Sequence, residues 1–546
     1  YTRLDPGGTE TRIDRFYLPE VDGGRWTVKV KDDLVWDDRP KDHRLVIAIY
    51  ETIQVNKRGH DRQTVREELM LESEIQNGII EIIGAAVREN RGQASTIWRA
   101  VHKRTKDYLL KKGADKRKKE NMEIKKILAQ LEHAQVWMNL RGPTPTMLTR
   151  RDELRKTLFT LQNPEIGNMT PERAKNCADR SDKCTRAMFK PFKKQAEEQT
   201  INKMKKVKGE WKEGSEPEYE SGVDGIKAAE STEGILTECM KYYEMLFTKK
   251  KVDRTKMGNI LGGMRKIPAS MMRDLNREIS VKEIQYTMEN LPLGKQAGPD
   301  RIPNGVYKTL SKYLAPLLHD VIKEAMEKGE LPKDMLLGDI SLLHKKNERD
   351  EIRNYRPLTM LQNAYKIFTR VLAKRMQKVV HLFVDEAQKG FVPDTFIADC
   401  TMLLNMIENA INDDVDNNKG IFLFLDMEKA FDRVSYEYLR EAMNAVGMEG
   451  YFANAVGLMY NEDNAPKRRI YANGKYSGWF DIRSGVAQGC PLSPLLFLLV
   501  AQGLYIAIQQ EGVRGIMMGS IEVIISQFAD DTTLALRSWR QLKKAN

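Results

Sequence analysis

The stretch Val523-Ile524-Ile525-Ser526-Gln527-Phe528-Ala529-Asp530-Asp531-Thr532-Thr533-Leu534-Ala535-Leu536 sets two acids side by side between two β-type runs, and no other segment constrains the chain as much. Two such runs meeting at a short turn read as a β-hairpin. Both flanks are apolar, so the hairpin is expected to lie buried on a sheet while its tip gathers negative charge that repels itself. An Asp-Asp turn is common by itself, but between buried strands a divalent cation is the natural remedy. A third acid is delivered in a similar way. Ile421-Phe422-Leu423-Phe424-Leu425 is an unbroken apolar run ending in Asp426, the pattern of a buried strand with a carboxylate at its edge. An Asp that starts a turn is the commoner arrangement, yet a metal ion would offset the burial of an unpaired carboxylate. Two strand-borne acidic sites far apart in sequence are what two-metal phosphoryl transfer requires, since ions about 3.5–4 Å apart share carboxylates.

The rest of the composition sets limits around that reading. A chain of 546 residues should hold two to four folding units. The net charge of +12 and a pI near 9.1 suit a polyanionic partner, although a solvated basic surface gives the same numbers. Cys177, Cys184, Cys239, Cys400 and Cys490 form no Cys-x-x-Cys pair and have no His at zinc-finger spacing, which fits a reducing intracellular compartment. Pro491 to Ile508 is the most apolar stretch, but Ser493, Pro494, Gln502 and Gly503 interrupt it, so a buried core helix is expected and no membrane partner. The chain opens at Tyr1 with no signal peptide and no initiator Met, in what reads as a strand-rich segment, so a truncated N-terminus is expected.

Residues 1–52 alternate β-type runs such as Arg15–Leu18 and Trp26–Val30 with Gly and Asp turns. Residues 53–231 read as a helical, basic linker region. Ile124, Ile127, Leu128 and Leu131 fall at helical spacing, Arg141-Gly142-Pro143-Thr144-Pro145 marks a turn, and Lys116-Arg117-Lys118-Lys119 would track a nucleic-acid backbone, serve as a nuclear address, or form a solvated face. Gly209 to Ser231, rich in Gly, Glu and Ser, is expected to be a mobile surface connector. Residues 232–330 read as a helical extension, opening with an amphipathic helix over 235–247, and 331–546 as alternating strands and helices.

A series of motifs across the second half then resembles the reverse transcriptase of non-LTR (LINE-type) retrotransposons. Gly294-Lys295-Gln296-Ala297-Gly298-Pro299-Asp300-Arg301-Ile302-Pro303 is similar to the family's opening motif, Asn354-Tyr355-Arg356-Pro357-Leu358 to its fingers motif, and Gln388-Lys389-Gly390-Phe391 to the next landmark. Leu425-Asp426-Met427-Glu428-Lys429-Ala430-Phe431-Asp432-Arg433-Val434 resembles the first catalytic motif, Gly485-Val486-Ala487-Gln488-Gly489-Cys490-Pro491-Leu492-Ser493-Pro494 the template-and-nucleotide motif, and Phe528-Ala529-Asp530-Asp531 the catalytic turn. Their order and spacing together carry the resemblance. His344 stands where many relatives place Pro, and Asp300-Arg301 replaces the usual Asp-Gly, so the opening motif and the fingers hairpin are expected to be slightly altered.

The resemblance implies an α+β fold, a right-hand polymerase with fingers and palm, preceded by the helical linker and a small β-rich endonuclease remnant. It implies that Asp426 and Asp530 bridge two Mg²⁺ ions (Mn²⁺ being an alternative), that the Met427 carbonyl assists, and that Asp531 supports the turn. Lys345 or Lys346 and Arg356 would grip the triphosphate as cationic donors, and Gln488 with Gly489 would pack against nucleotide and template. Phe431 would sit beneath the incoming sugar and exclude a 2′-hydroxyl, the alternative being a core Phe on a strand-to-helix turn. The partners implied are an RNA template, a DNA primer or target, and dNTPs, in a nuclear and cytoplasmic ribonucleoprotein; assembly state is left open.

Arg12–Tyr17 followed by Lys41–Val46 resembles the last two motifs of the apurinic-type endonuclease that precedes this polymerase in the same elements. Asp14 would orient His43, next to Asp42, for phosphodiester cleavage. The usual Ser is Lys41 here and the family's metal-holding residues would lie upstream of Tyr1, so nuclease activity is not expected. Only fifteen residues follow Asp531, so the thumb is expected to be missing. A truncated relic that binds nucleic acid and catalyses nothing is the competing reading, and a group II intron-type or telomerase-type enzyme a more distant one.

Overall fold

The computed structural model describes residues 65–162 and 200–545, apart from 91, 143, 213–216, 223–224 and 414–419; before residue 65 it describes the strands Arg3–Leu4, Glu10–Thr11, Gly24–Lys31 and Leu45–Thr52. The chain divides into two compact units, Tyr1–Gly59 and His60–Asn546. In the first, β1 (Gly24–Lys31) and β2 (Leu45–Thr52) pair antiparallel from Gly24 against Thr52 to Lys31 against Leu45. Asp14, Asp42 and His43 lie outside the described residues.

The second unit begins with three helices, α1 (Ser73–Glu89), α2 (Ala94–Arg141) and α3 (Pro145–Gln162). Ile75, Ile79 and Ile83 recur every four residues and bury one stripe of α1, while Trp98, Val101, Thr105 and Leu109 bury one seam of α2. Gly142, at φ 77°, breaks the chain between α2 and α3, a conformation only glycine adopts without strain. Across the α1–α2 contact Lys112 donates to Glu74 at 2.6 Å and Lys116 to Glu72 at 2.8 Å, whereas Arg117, Lys118 and Lys119 face solvent.

The expected mobile connector is corrected by the structure. Met204–Lys205 pairs with Ala228–Ala229, Ser221–Gly222 with Gly225–Ile226, and Val207 bridges Tyr219, so the segment folds back as an antiparallel arm. Its polar composition concealed sparse anchors: Met204, Val207, Trp211 and Ala229 are buried against α4 (Thr232–Leu246), where Trp211 meets Tyr242 edge-on at 4.8 Å. A few large side chains on a packed face suffice to order a strand pair.

The helices that follow have local start and stop signals. Ser231 Oγ caps α4 by accepting from Gly234 N, Asp253 caps α5 (Arg254–Leu261), and Ser280 and Glu283 cap α6 (Val281–Glu289) reciprocally. Helix α7 (Ser311–Lys328) stops at Gly329, at φ 74°. Then come β3 (Leu337–His344), β4 (Tyr355–Leu361), α8 (Asn363–Gln377), α9 (Ile397–Asp413), β5 (Ile421–Leu425), α10 (Tyr436–Ala445), β6 (Lys467–Ala472), α11 (Ser493–Gln510), β7 (Ile525–Phe528) and β8 (Asp531–Leu536).

Two sheets organise this mixed helix-and-strand half. In one, β3 pairs antiparallel with β4 and parallel with β6. In the other, β8 lies between β5 and β7, antiparallel to both. The second sheet shows period-2 alternation: Leu423, Leu425, Leu534 and Leu536 face the side of Ile508 on α11, while Phe422 and Ala535 face Ile407 on α9. The expectation that β5 is fully buried is corrected. It is an edge strand paired to β8 alone among the described residues, and Phe424 is 69% exposed. Helix α11 is long and apolar enough to cross a membrane, but 61% of it is buried inside the protein, as a core helix would be.

Candidate active site

The β5–β8 register brings the three acids to one sheet edge. Leu425 pairs with Thr532, so the next step along the antiparallel ladder sets Asp426 against Asp531. Phe528 pairs with Asp531, leaving Ala529 and Asp530 as a two-residue turn. Ala529 takes φ 59°, which lets the turn follow the strand twist at the expense of strain in a residue with a Cβ. Asp426 and Asp531 are exposed and Asp530 is half-buried. Burial pushes the Asp530 carboxyl above the usual range, Asp531 and Asp426 push it further, and Lys345 opposes them. Each of the three acids therefore acts on Asp530 or is Asp530 itself.

Oxygen donors gathered around their own repulsion suit a hard divalent cation. Among the described residues, however, no three His, Cys, Asp or Glu side chains are grouped so that they could hold a metal ion.

The cationic residues approach from the first sheet. Strand β4 alternates buried and exposed positions, placing Arg356 outward between buried Tyr355 and Pro357. Lys345 follows β3 and its backbone N–H donates to Asn354 at 2.9 Å, closing the hairpin. Both charges bear on Lys429 and Lys345 bears on Asp530, so the β3–β4 hairpin, the segment after β5 and the catalytic-turn candidate converge electrostatically. Lys346, exposed in the same turn, does not figure among the charges acting most strongly on either residue. The substitution at His344 leaves the β3–β4 ladder regular: His344 pairs with Tyr355, packs edge-on to its ring at 5.3 Å and bonds the Asn347 carbonyl.

Gln488 and Gly489 lie against β4 at Thr359, Gln488 half-buried and Gly489 exposed. The Gln488 carbonyl accepts from Thr359 N at 2.9 Å, and a Cβ on Gly489, at φ 120°, would sit 2.5 Å from the Thr359 carbonyl oxygen. Gln488 Nε2 donates to Asp432 at 3.0 Å. Burial pushes the Asp432 carboxyl up, while nearby Lys429 and the Gln488 bond draw it down. Lys429 donates in turn to the Tyr355 carbonyl. Phe431 stacks on Phe497 of α11 at 4.5 Å between ring centres and meets Phe391 edge-on at 6.2 Å. Its backbone carbonyl accepts from Val486 N, tying the segment after β5 to the one before Gln488. Met427 packs partly buried against the main core.

Sequence reasoning passed over Asp432, Lys429 and Phe391, which stood inside quoted motifs with no role given to them. Phe391 is 48% exposed and sits at φ 59°, so it is an aromatic held out by a strained backbone next to Phe431. Only the burial of Asp432, unusual for an acid, marks it out, and that is not visible in the sequence.

Residues 343–545 match the reverse transcriptase (RNA-dependent DNA polymerase) family. The Transposon TX1 uncharacterized 149 kDa protein of Xenopus laevis is 26% identical over 321 residues, 58% of this chain and 24% of that one. A retrovirus-related Pol polyprotein from type-1 retrotransposable element R2 of Nasonia vitripennis is 27% identical over 240 residues, covering 44% and 22%. A probable RNA-directed DNA polymerase from transposon BS of Drosophila melanogaster is 28% identical over 229 residues, covering 40% and 24%. The chain thus spans about a quarter of the length of these relatives. Reverse transcriptases use divalent metal ions, a nucleic-acid template and primer, and deoxynucleoside triphosphates. Over residues 343–545 the chain is thus similar to reverse transcriptases, and the relatives it matches include proteins of transposons and retrotransposable elements.

Proposed function

We propose that this chain performs RNA-directed DNA synthesis for a non-LTR retrotransposon, adding deoxynucleotides to a primer 3′-hydroxyl on an RNA template. The observation that carries the reading is that the strand ladders end at Leu425–Thr532 and Phe528–Asp531, which brings Asp426 and Asp531 near enough to Asp530 in the turn to act on its charge. Asp426 and Asp530, with the Met427 carbonyl and Asp531, would hold two Mg²⁺ ions, which when bound supply charge neutralisation at the triphosphate and activation of the hydroxyl.

The chain's own residues would do the positioning. Lys345, whose charge acts on Asp530, and Arg356, exposed on β4, would neutralise triphosphate oxygens. Gln488, held by Asp432 and by the β4 backbone, would support the nucleotide and template bases from below. Phe431, braced by Phe497, presents a ring that is hard to displace, which suits the exclusion of a 2′-hydroxyl. The basic face of α2 at Arg117, Lys118 and Lys119 is available to RNA. By the same reading the chain works in a nuclear and cytoplasmic ribonucleoprotein.

Primer extension on an RNA template with Mg²⁺ and dNTPs, beside an Asp530→Ala twin, tests the proposal. Extension lost in the twin supports it. No extension by a folded, RNA-binding parent favours instead a relic that retains binding alone.

A further inference from the structure

Gln388 is buried to 3% exposure and has three backbone partners. Its Oε1 accepts from Ala529 N at 2.8 Å and from Gly390 N at 2.8 Å, and its Nε2 donates to the Ala529 carbonyl at 3.1 Å. One carboxamide therefore holds both polar groups of the single residue that precedes Asp530. Its neighbours extend the grip: Lys389 N donates to the Gln527 carbonyl at 2.9 Å and Gln527 N to the Ala387 carbonyl at 2.8 Å, a parallel bridge between the two segments. Gly390 lies so close that a Cβ there would collide with Ala529 N. Ala529 is the residue at φ 59°, a conformation an alanine leaves readily unless its surroundings hold it.

We infer that Gln388 is a positioning residue that clamps the Ala529–Asp530 turn in its left-handed backbone, so that Asp530 is held against the Asp426–Asp531 edge before any ligand arrives. The physical basis is that Ala529 is buried and that Oε1 and Nε2 of one amide match its N–H and C=O pair. Asn would be one methylene short, and Glu would offer acceptors only when ionised. Gln388 does not reach the reacting groups itself; its effect passes through the turn. Only its catalytic consequence rests on the polymerase reading above.

The test replaces Gln388 with Met, which keeps the side-chain length and packing but removes the amide, in the 546-residue chain. The readout is amide hydrogen exchange across residues 525–534, without metal or nucleotide. The expected result is exchange roughly 10- to 100-fold faster at Ala529 and Asp530, the effect of losing two buried hydrogen bonds, with α10 and α11 unchanged. Adding Ala529→Gly to Gln388→Met should recover part of the protection, since glycine takes a positive φ without strain. Calorimetric titration with Mn²⁺ should show weaker binding by roughly tenfold in Gln388→Met although every carboxylate is intact.

Unchanged exchange at Ala529, or loss spread over α10 and α11 with no recovery in the double variant, overturns the clamp. A wild-type chain inert in primer extension whose turn nonetheless loosens in Gln388→Met would retain the clamp and remove the polymerase reading.

Discussion

Asp426 stands one residue beyond Leu425, the last paired residue of β5, and Asp531 one residue before Leu425's partner Thr532 on β8, so two acids far apart in sequence come to the same end of one strand pair. Both act on Asp530 in the turn, whose carboxyl is pushed upward by burial first and then by Asp531 and Asp426. Asp426→Asn or Asp530→Asn should therefore lower primer extension by roughly a thousandfold or more while leaving the melting temperature unchanged or raised. Thermal unfolding of the variants beside their extension rates checks this. A large loss of stability in either variant would mean that the acids are structural.

Phe431 stacks on Phe497, and a pair of substitutions separates that packing from the sugar selection proposed for its ring. Phe431→Val should raise ribonucleotide incorporation relative to deoxynucleotide by roughly 10-fold or more if its ring excludes the 2′-hydroxyl. The same change removes the stacking on Phe497 and should reduce stability by about 1–3 kcal/mol. Phe497→Leu should show the stability loss with a much smaller change in sugar selection, as read from parallel extension with dNTPs and rNTPs.

Gly489 is where a side chain has no room. A Cβ there would press on the Thr359 carbonyl oxygen at 2.5 Å, and φ 120° disfavours any other residue. Gly489→Ala should push β4 away from Gln488, raising the KM for dNTP several-fold and destabilising the fold by about 1–3 kcal/mol. Steady-state kinetics with calorimetric unfolding measures both.

Arg375 lies 7% exposed on α8, where it bridges Glu283 and the carbonyls of Leu275, Arg277 and Glu278. Burial would raise Glu283, but hydrogen bonds from Arg375 and Ser280 bring it down to about 2. Arg375→Met should destabilise the domain by about 3–5 kcal/mol, because it removes the cation paired with the Glu283 carboxylate and the donor to three carbonyls, leaving Glu283 its bonds from Ser280. A carboxyl depressed by folding contributes stability above its unfolded value, so this contribution should fade as pH drops from about 4.5 toward 2. Chemical denaturation at a series of pH values, with and without Arg375, detects both effects.

His102 on α2 bonds the Trp98 carbonyl and the Tyr307 hydroxyl, and burial pushes it down to about 4. The unfolded chain binds a proton at His102 near pH 6.5 and the folded chain does not, so stability should fall as pH drops from about 6.5 to about 4. The imidazole keeps some exposure, which trims the effect to on the order of 2 kcal/mol. His102→Gln should flatten that slope in urea unfolding between pH 4 and 7.

The sequence by itself determined the local elements and the identity of the acids. Period-2 and 3.6-residue patterning, the caps at Ser231 and Ser280, and the two-residue turn at Ala529–Asp530 are written in neighbouring residues, and so was the apolar helix at Ser493–Gln510. Motif order brought Asp426, Arg356, Gln488 and Phe431 forward because their chemistry travels with short, recognisable strings. The connector misread at 209–231 shows the limit: composition averages over a segment, while Trp211 and Val207 order it through contacts with α4 that no local window contains. Only the tertiary structure decided that Gln388 grips Ala529, that Asp432 holds Gln488, and that β5 is an edge strand with Phe424 exposed. Each of these depends on residues more than fifty positions apart, or on which strand edges remain unpaired. Hydrogen-bond geometry and burial set them after the chain has folded, and the order of residues along it does not encode them locally.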